Sequence, residues 1–384
     1  MGEFLPSILI YIVVFLASAA SIYYGIAQYK KKKKLTGIIL VALGILLPSV
    51  MAGIRYNVGV DYPTYVSMFE NVILGRQMYF RSIEPASTLI ITVSAHLRSG
   101  ILMFFTFSFI TSLCYFAAFT RLFKHDERKV ALAYLLYLCI IFPTTLNAVR
   151  SGTAIAIAML ALSYFVQKWS LKTIAMSAAL TVLAFLFHRS VIILLLFLPV
   201  FWLVQRKNQK GTLAKKTAVL FIIYLLPAIM LPLIYSVTKD FIRLGDYGRY
   251  IEGVGDSFSM PLANIMMTIP IVYSLLYYYK NEEQFDQESA KLVYCALFYI
   301  PLSIFTGWLT FTEGLSRISF IFDPIIVCLM ATLFVSCLKA PKIWRAITIS
   351  CIILVVGTMF IRNLNWSKAL PYRTIFQQGV SYAP

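Results

Sequence analysis

Charged side chains are scarce in this sequence, and so are the side chains that bind metals. Only 13% of the 384 residues are charged and three are histidine, whereas a soluble domain has about 25% charged residues. The six cysteines lie inside apolar runs without Cys-x-x-Cys spacing, which is typical of small buried side chains rather than of disulfides or zinc ligands. The composition excludes an ordinary soluble domain, and we expect neither a metal nor another cofactor.

Long apolar runs dominate instead, because 60% of the residues are hydrophobic. A membrane-spanning helix needs about 20 such residues, and somewhat fewer where flanking side chains reach the interface. We therefore predict an all-α, polytopic integral membrane protein of about twelve transmembrane helices, organised as a single domain over residues 1–384. The predicted spans cover residues 5–29, 35–53, 100–120, 130–147, 150–166, 173–187, 190–204, 217–237, 263–279, 292–309, 318–337 and 346–361.

Two segments between these spans are predicted to be extracytoplasmic loops, residues 54–99 and 238–262. Within the first, residues 84–98 are too short and too polar at one end to cross a membrane comfortably, so we predict an amphipathic or re-entrant helix there. Both segments are charged and carry tyrosine and glycine. Because loops on a rigid frame commonly carry the chemistry of a protein, we predict that the two segments roof a cavity on the outer face.

Basic residues set the predicted orientation. The net charge is +18, and in a membrane protein such an excess marks cytoplasmic loops and anionic lipid rather than nucleic acid. Lys30–Lys34 directly follow the first span, so that end is predicted to be cytoplasmic and both termini extracytoplasmic. The six loops then assigned to the cytoplasm hold 21 of the 34 basic residues, and 17 of those are lysine.

The predicted outer face keeps thirteen basic residues, of which eleven are arginine. Lysine is a hydrated point charge, whereas the planar guanidinium of arginine binds phosphate or carboxylate through two parallel hydrogen bonds. The outward arginines therefore indicate an anionic ligand. The alternative interpretation is that they pair with outward acidic residues or with lipid phosphates.

The strongest local pattern is Arg55-x3-Gly59-x-Asp61-Tyr62-x2-Tyr65, at the outer end of the second predicted span. Glycine lets the backbone turn tightly or approach a ligand. Asp61 then lies beside an arginine and tyrosine hydroxyls, a setting in which a carboxylate stays ionised and can accept a proton from a hydroxyl. A surface ion pair at a helix end is the alternative.

Two further positions follow on the same predicted face. Arg150 begins a span whose small-residue face suits close helix packing, so Arg150 is expected to point into the bundle, with a carboxylate or an anionic ligand nearby. The alternative is a side chain that extends to the interface. His188 and Arg189 lie between two short spans, where His188 can donate a hydrogen bond or assist proton transfer, unless it is merely structural.

The last candidates lie in the C-terminal half. Arg317 begins a predicted span and Asp323 follows about one and a half turns inside it, which predicts an intramembrane carboxylate that needs a partner or a proton. Glu313 precedes them, and Arg249 and Tyr250 stand in the second outer loop.

The order of these motifs resembles the EpsG-like family of exopolysaccharide polymerases, which is related in role to Wzy-type polymerases. The resemblance runs from about residue 50 to 330 and rests on the Arg55 pattern followed by Glu84-Pro85, Ala148-Val-Arg150-Ser-Gly-Thr-Ala154, Phe187-His188-Arg-Ser190 and Ser316-Arg317. It implies a multi-pass protein of the bacterial plasma (inner) membrane that polymerises oligosaccharide repeat units carried on undecaprenyl pyrophosphate, at the outer face. The implied partners are this lipid-linked oligosaccharide, the lipid bilayer and a chain-length regulator protein.

That chemistry gives the candidate residues roles. Guanidinium groups would stabilise the charge that develops on the pyrophosphate leaving group, and a general base would take a proton from the acceptor hydroxyl. The first candidate for the base is Asp61, with Glu84, Glu313 and Asp323 as alternatives. The catalytic candidates are Asp61, Glu84, His188 and Glu313. The substrate-binding candidates are Arg55, Tyr62, Tyr65, Arg150, Arg189, Arg249, Tyr250, Arg317 and Asp323.

Other functions stay open. A flippase for lipid-linked oligosaccharides would show paired halves with interrupted helices near the midplane, whereas the charges here cluster near one face. A second alternative is an O-antigen ligase-like transferase, which would deliver finished polymer to another acceptor. A membrane acyltransferase would need a nucleophile and base that His188 alone does not supply, and a structural scaffold would not need ionisable groups inside the membrane.

Overall fold

The computed structural model describes residues 3–76, 84–167, 170–191, 210–238, 262–280, 287–307 and 320–377. These ranges are overwhelmingly helical, and the chain divides into two compact units. Unit 1 comprises residues 1–191 and 356–384, and unit 2 comprises residues 192–355. The helices are α1 (Phe4–Lys30), α2 (Lys34–Ile54), α3 (Tyr62–Ile73), α4 (Pro85–His96), α5 (Gly100–Leu122), α6 (Glu127–Ile140), α7 (Phe142–Thr145), α8 (Val149–Gln167), α9 (Leu171–Phe187), α10 (Lys210–Thr238), α11 (Leu262–Lys280), α12 (Gln287–Leu297), α13 (Tyr299–Gly307), α14 (Asp323–Cys337) and α15 (Lys342–Trp366).

Helices α1 and α2 form a tightly packed antiparallel pair at the start of unit 1. A Cβ atom on Gly25 would lie 2.8 Å from a side-chain carbon of Val41, and a Cβ on Gly37 would lie 2.8 Å from the carbonyl oxygen of Gly25. Only glycine allows the two backbones this close, as in other helix pairs that pack through small residues. The hydroxyl of Ser18 donates a hydrogen bond across the interface to the carbonyl of Gly44.

The rest of unit 1 packs against this pair. Helix α2 contacts α5, α5 contacts α8, α8 contacts α9, and α1 also contacts α6. Aromatic rings fill the centre: Phe15 makes edge-to-face contacts with Phe142 and Phe360, and Tyr115 lies 4.3 Å from Tyr137 between ring centroids. Such contacts add to the burial of each ring. Of the charged candidates, Glu84, Arg150 and His188 each lie at an end of a helix in this unit.

Four helices are long and apolar enough to cross a membrane within the residues that the structure describes: α1, α2, α5 and α15. Their outward side chains are apolar as well, with Leu5, Val13 and Ile38 each more than half exposed. Rows of exposed aliphatic side chains are typical of surfaces that face lipid rather than water. The protein is thus a helical membrane protein, as the sequence predicts, although twelve spans stay a prediction.

Some predicted spans differ from the observed helices. The span predicted over residues 130–147 is two helices, α6 and α7, and the span predicted over 292–309 is also two, α12 and α13. In each case a proline, Pro143 or Pro301, lies three or four residues beyond the end of the first helix. Proline lacks the N–H group and its ring clashes with the carbonyl four residues earlier, so a continuous helix is broken there.

The remaining predictions about the loops have mixed outcomes. Helix α4 has 12 residues and is therefore about 18 Å long, too short to span a bilayer about 30 Å thick. This agrees with the prediction that residues 84–98 do not cross. The predicted cavity under two loops stays a prediction, since residues 77–83 and 239–261 lie outside the described residues. The predicted span over 190–204 lies almost wholly outside them too.

Unit 2 is built around α14, whose side chains are buried along nearly its whole length. Helices α11 and α12 contact α14, and α10 contacts α13. Polar groups also meet inside this unit, where the Tyr299 hydroxyl donates a 3.4 Å hydrogen bond to the side-chain oxygen of Asn264. Asp323 is 8% exposed, so its carboxylate is buried as expected, but it stands at the first position of α14 rather than about one and a half turns inside a helix. That this carboxylate lies inside the membrane stays a prediction.

Candidate active site

Glu84 is the centre of a charged cluster at one end of unit 1. Its Oε2 accepts a 2.6 Å hydrogen bond from Nη1 of Arg150. Its Oε1 accepts from Nδ1 of His188 at 2.9 Å and from the backbone N–H of Arg189 at 3.2 Å. The Glu84 side chain is only 5% exposed, whereas His188 and Arg150 are 30% and 22% exposed. The carboxylate is thus buried beneath partners that reach the surface.

These contacts keep Glu84 ionised. Burial alone would raise the pKa of this carboxyl, but the hydrogen bonds from His188, its own backbone and Arg189, together with the charge of Arg150, outweigh burial and lower the pKa from 4.5 to about 2. Hydrogen bonds to the charged form and a neighbouring opposite charge both favour ionisation. At neutral pH, Glu84 is therefore a permanent anion and a weak proton acceptor.

Local structure brings Glu84 and His188 together. Pro85 occupies the first turn of α4, so Glu84 lies immediately before the helix with an extended backbone. Helix α9 ends at Phe187 and His188 is extended as well. The hydroxyl of Ser87 donates a 3.0 Å hydrogen bond to the carbonyl of Phe187, which joins the start of α4 to the end of α9. The Glu84-Pro85 and Phe187-His188 motifs are therefore neighbours in space.

The hydrogen bond to Glu84 determines which nitrogen of His188 carries the proton. An ionised carboxylate can only accept hydrogen bonds, so Nδ1 of His188 must be the donor. In the neutral ring, Nε2 is then an acceptor. A carboxylate that fixes the tautomer and orientation of a histidine in this way is the arrangement that prepares histidine as a base in hydrolase triads.

Arg150 connects the cluster to α3. It lies in the first turn of α8, and its backbone N–H donates a 3.4 Å hydrogen bond to the hydroxyl of Tyr65. Its Nε is buried and has no hydrogen-bond acceptor among the residues that the structure describes. A buried guanidinium nitrogen without an acceptor is costly, so a ligand oxygen that reached this N–H would be bound favourably. The sequence predicted a carboxylate or an anionic ligand near Arg150, and Glu84 confirms the carboxylate.

Tyr65 stays protonated beside these charges. Burial raises the pKa of its hydroxyl, the charge of Arg150 opposes that effect, and the charge of Asp61 adds to it. The net pKa lies above the ordinary value of 10.0. The Tyr65 hydroxyl is therefore a hydrogen-bond donor at any physiological pH.

Gly59 shapes the turn that leads into α3. Its φ is +108°, a backbone conformation that residues with a Cβ rarely adopt. An added Cβ would lie 2.7 Å from the carbonyl oxygen of Leu146. The close approach to Leu146 places the next residues against the start of α8, where the backbone N–H of Asp61 donates a 2.7 Å hydrogen bond to Oδ1 of Asn147. Asp61, half-buried, is thereby held on the same side as Tyr65 and Arg150.

Arg55 lies deeper than the sequence suggested. It is 1% exposed, and its guanidinium carbon lies 4.5 Å from the centre of the Phe104 ring and 5.7 Å from that of Tyr62. Tyr62 itself stacks on Phe104. Such cation–π contacts stabilise a buried cation. Arg55 also lines a cavity of about 10 Å³ with Thr111 and other polar residues, so contact between Arg55 and a substrate stays a prediction.

The structure therefore brings six of the predicted site residues into one region of unit 1, Asp61, Tyr65, Glu84, Arg150, His188 and Arg189, with Arg55 and Tyr62 beneath. Glu313, Arg317, Arg249 and Tyr250 lie outside the described residues. Asp323 belongs to unit 2. Two contributors were not predicted, Asn147 and Ser87, because neither residue type is distinctive and their roles depend on which helix ends meet.

The C-terminal segment was missed as well. The backbone N–H of Tyr56 donates to the carbonyl of Arg373 at 2.8 Å, and those of Gly59 and Val60 donate to Lys368 and Ser367, both at 3.2 Å. No pattern in the sequence predicts these backbone hydrogen bonds. They hold residues 367–374 against the loop that leads to Asp61.

A comparison with protein families matches this chain to the EpsG family over residues 38–374. The match covers every motif discussed above. The chain belongs to the EpsG family. This is the exopolysaccharide, Wzy-like polymerase family, so EpsG membership indicates a polymerase-type transferase of polysaccharide biosynthesis in a membrane. Comparisons with curated proteins and with solved structures gave no match.

Proposed function

We propose that this EpsG-family protein joins oligosaccharide repeat units carried on undecaprenyl pyrophosphate at the outer face of the plasma membrane. In this reaction a hydroxyl of one lipid-linked unit attacks the anomeric carbon of the growing chain, and the undecaprenyl pyrophosphate leaves with its electron pair. The observation that carries the proposal is the Glu84 cluster, where an arginine, a histidine and a buried carboxylate from distant parts of the chain meet at one end of the helix bundle.

Arg150 is the proposed contact to the leaving group. Its Nη1 is engaged by Glu84, while its buried Nε can donate to a phosphate oxygen. A guanidinium that is already oriented loses little conformational entropy when it binds the phosphate. In a site with little water, it also stabilises the developing negative charge strongly. The side chain of the neighbouring Arg189 is exposed and supplies a second cation. Arg249 and Arg317 remain proposed contacts from the undescribed part of the chain.

His188 is the proposed proton acceptor. In the neutral ring, Nε2 is the nitrogen that can accept a proton, because Nδ1 donates to Glu84, and the side chain is 30% exposed. The proton of the attacking hydroxyl would pass to Nε2, and Glu84 would stabilise the resulting imidazolium. Glu84 is then a positioning residue rather than the base, which fits its low pKa.

Asp61 and Tyr65 are proposed to face the sugars. The protonated Tyr65 hydroxyl can donate to a sugar oxygen, and the half-buried Asp61 carboxylate can accept from a sugar hydroxyl. Asp61 is also the second candidate for the base. The two assignments can be distinguished by substitution. Replacing the true base by its amide, or by a neutral side chain of similar size, removes most of the rate, whereas the same change at the other residue does not.

The direct test is Arg150→Ala in cells that make the polysaccharide. We expect polymer to disappear while single repeat units accumulate on the lipid carrier, measured by mass spectrometry of extracted lipids. The same outcome is expected for Arg317→Ala. The matched control is Arg98→Ala, which removes an exposed arginine after α4 and is expected to leave chain length unchanged. Normal polymer in Arg150→Ala at normal membrane abundance would overturn the proposal.

A further inference from the structure

A pocket outside the Glu84 cluster lies in unit 1, between the start of α1 and the C-terminal segment. Its volume is about 430 Å³, within the range of small-ligand sites. Residues from the two chain ends line it: Glu3, Pro6, Ser7, Ile10, Pro371, Tyr372, Arg373 and Gln377. None of these residues belongs to the motifs from which the sequence predicted an active site.

The walls of this pocket are held in place by hydrogen bonds. The backbone N–H of Tyr372 donates to the hydroxyl of Ser7 at 2.9 Å, and the hydroxyl of Tyr372 donates to the carbonyl of Met51 at 2.8 Å. Arg373 is fixed through its carbonyl, which accepts from Tyr56. The pocket is therefore a built feature rather than a gap between loosely packed ends.

Planar polar groups stand at the mouth of the pocket. Nη2 of Arg373 lies 3.3 Å from Oε2 of Glu3, and both side chains are substantially exposed. The side-chain oxygen of Gln377 accepts from the backbone of Thr374 at 2.9 Å, which leaves its NH₂ group to donate elsewhere. The exposed ring of Phe376, 75% exposed, is next to Gln377 in the chain. Pro6, Ile10 and Pro371 add apolar surface to the lining.

The charge balance of these groups favours a neutral, hydroxyl-rich ligand. The carboxylate of Glu3 cancels the charge of Arg373, so an anion would have to compete with Glu3 for the guanidinium and would meet its repulsion. A sugar ring instead offers donors to Glu3, acceptors to Arg373 and Gln377, and C–H faces to the apolar surface. The pairing of a carboxylate with a guanidinium thus selects against phosphate and suits carbohydrate.

We propose that this pocket is a second sugar-binding subsite, which holds neutral sugar residues of the saccharide chain away from the reacting bond. The inference rests on the proposed function, because the ligand is taken to be the saccharide on which the protein acts. The C-terminal segment that forms one wall also contacts residues 55–60, which continue directly into Asp61. A saccharide chain bound in this pocket would therefore lie next to the loop that leads to Asp61.

The test measures binding without turnover. The probe is a set of oligosaccharide fragments, made by mild acid cleavage of the polysaccharide from the same strain. Binding to the full-length protein in detergent is measured by saturation-transfer NMR. We expect Arg373→Ala and Glu3→Gln each to weaken binding about three- to tenfold, as for the loss of one or two hydrogen bonds. The matched control is Lys368→Ala, which changes an exposed cation of the same segment outside the pocket.

Inorganic phosphate is the second probe and separates the sugar subsite from an anion site. For an anion site, Glu3→Gln would free the guanidinium and strengthen phosphate binding, while oligosaccharide binding would not change. That result would overturn the inference, and so would unchanged oligosaccharide binding in Arg373→Ala. Gln377→Ala, at an exposed position, provides a second variant if Arg373→Ala does not fold, and it is expected to weaken binding as well.

Two variants tested in cells separate an error about the sugar subsite from an error about the proposed function. In cells, Arg373→Ala should shorten the polymer while repeat units are still consumed, because the reacting groups are intact. If Arg150→Ala also continues to make polymer, the Glu84 cluster is not the active site, yet the binding result for the pocket still stands. If Arg150→Ala abolishes polymer and Arg373→Ala changes neither binding nor chain length, the subsite alone is wrong.

Discussion

Replacing Glu84 by glutamine tests whether this carboxylate organises the site through its charge. Glutamine keeps the shape of the side chain and can still accept hydrogen bonds, but it cannot form the ion pair with Arg150. The side chain is 5% exposed, so solvent screens the interaction little. We expect Glu84→Gln to be less stable than the wild type at neutral pH and to make markedly less polymer.

The size of the stability change follows from the pKa. The pKa of Glu84 is about 2 in the folded protein, against an ordinary value of 4.5, and each unit corresponds to about 1.4 kcal/mol. The ionised carboxylate therefore stabilises the fold by about 3 kcal/mol. Because the folded pKa is depressed, this contribution is fully present above about pH 4.5 and is lost as the pH falls towards 2. At pH 3, roughly half of this contribution would remain.

The assay is the free energy of unfolding in detergent micelles between pH 7 and pH 3, for the wild type and Glu84→Gln. We expect a difference of about 3 kcal/mol at pH 7 that is roughly halved at pH 3. Glu127→Gln is the matched control, since Glu127 pairs with Lys30 where both are more exposed, and such pairs contribute at most about 1 kcal/mol. A difference that does not vary with pH, or no difference at pH 7, would show that the charge of Glu84 does not stabilise the fold.

Three further predictions concern the neighbouring residues. His188→Gln should lower the rate of polymer formation at least a hundredfold, the lower range for loss of a general base, with unchanged membrane abundance by immunoblot. Asp61→Asn should lower it less than His188→Gln does, and the reverse order would assign the base to Asp61. Gly59→Ala should lower the free energy of unfolding by about 1–3 kcal/mol, because the new Cβ meets Leu146 at a strained φ. Gly75→Ala, with positive φ but nothing within 4 Å, should cost less in the same measurement.

The helices of unit 1 were largely predictable because hydropathy acts locally. Helices α1, α2 and α5 begin and end within a few residues of the predicted spans, since the length of an apolar run and the charges at its ends decide where a span stops. The breaks before Pro143 and Pro301 also had a local signal, the proline itself. Hydropathy alone does not register that signal, because both prolines lie within apolar runs.

The arrangement of the site was only half predictable. The predicted position of Arg150 at the start of a span called for a carboxylate or an anion nearby, and a carboxylate is there. The identity of that partner was not predictable, because Glu84 is 66 residues away and its position depends on how α4 packs against the end of α9. The burial of Arg55 among aromatic rings likewise depends on α5, which no pattern near Arg55 reveals.

In the proposed reaction, a polyprenyl pyrophosphate leaves from this site as each sugar–sugar bond forms. Proteoliposomes containing the purified protein and lipid-linked repeat units as the sole substrate would test it most directly. We predict polymer growth with one undecaprenyl pyrophosphate released for every bond formed, and neither product with Arg150→Ala. Release of the lipid without polymer, or polymer growth that is unaffected in Arg150→Ala, would contradict the account.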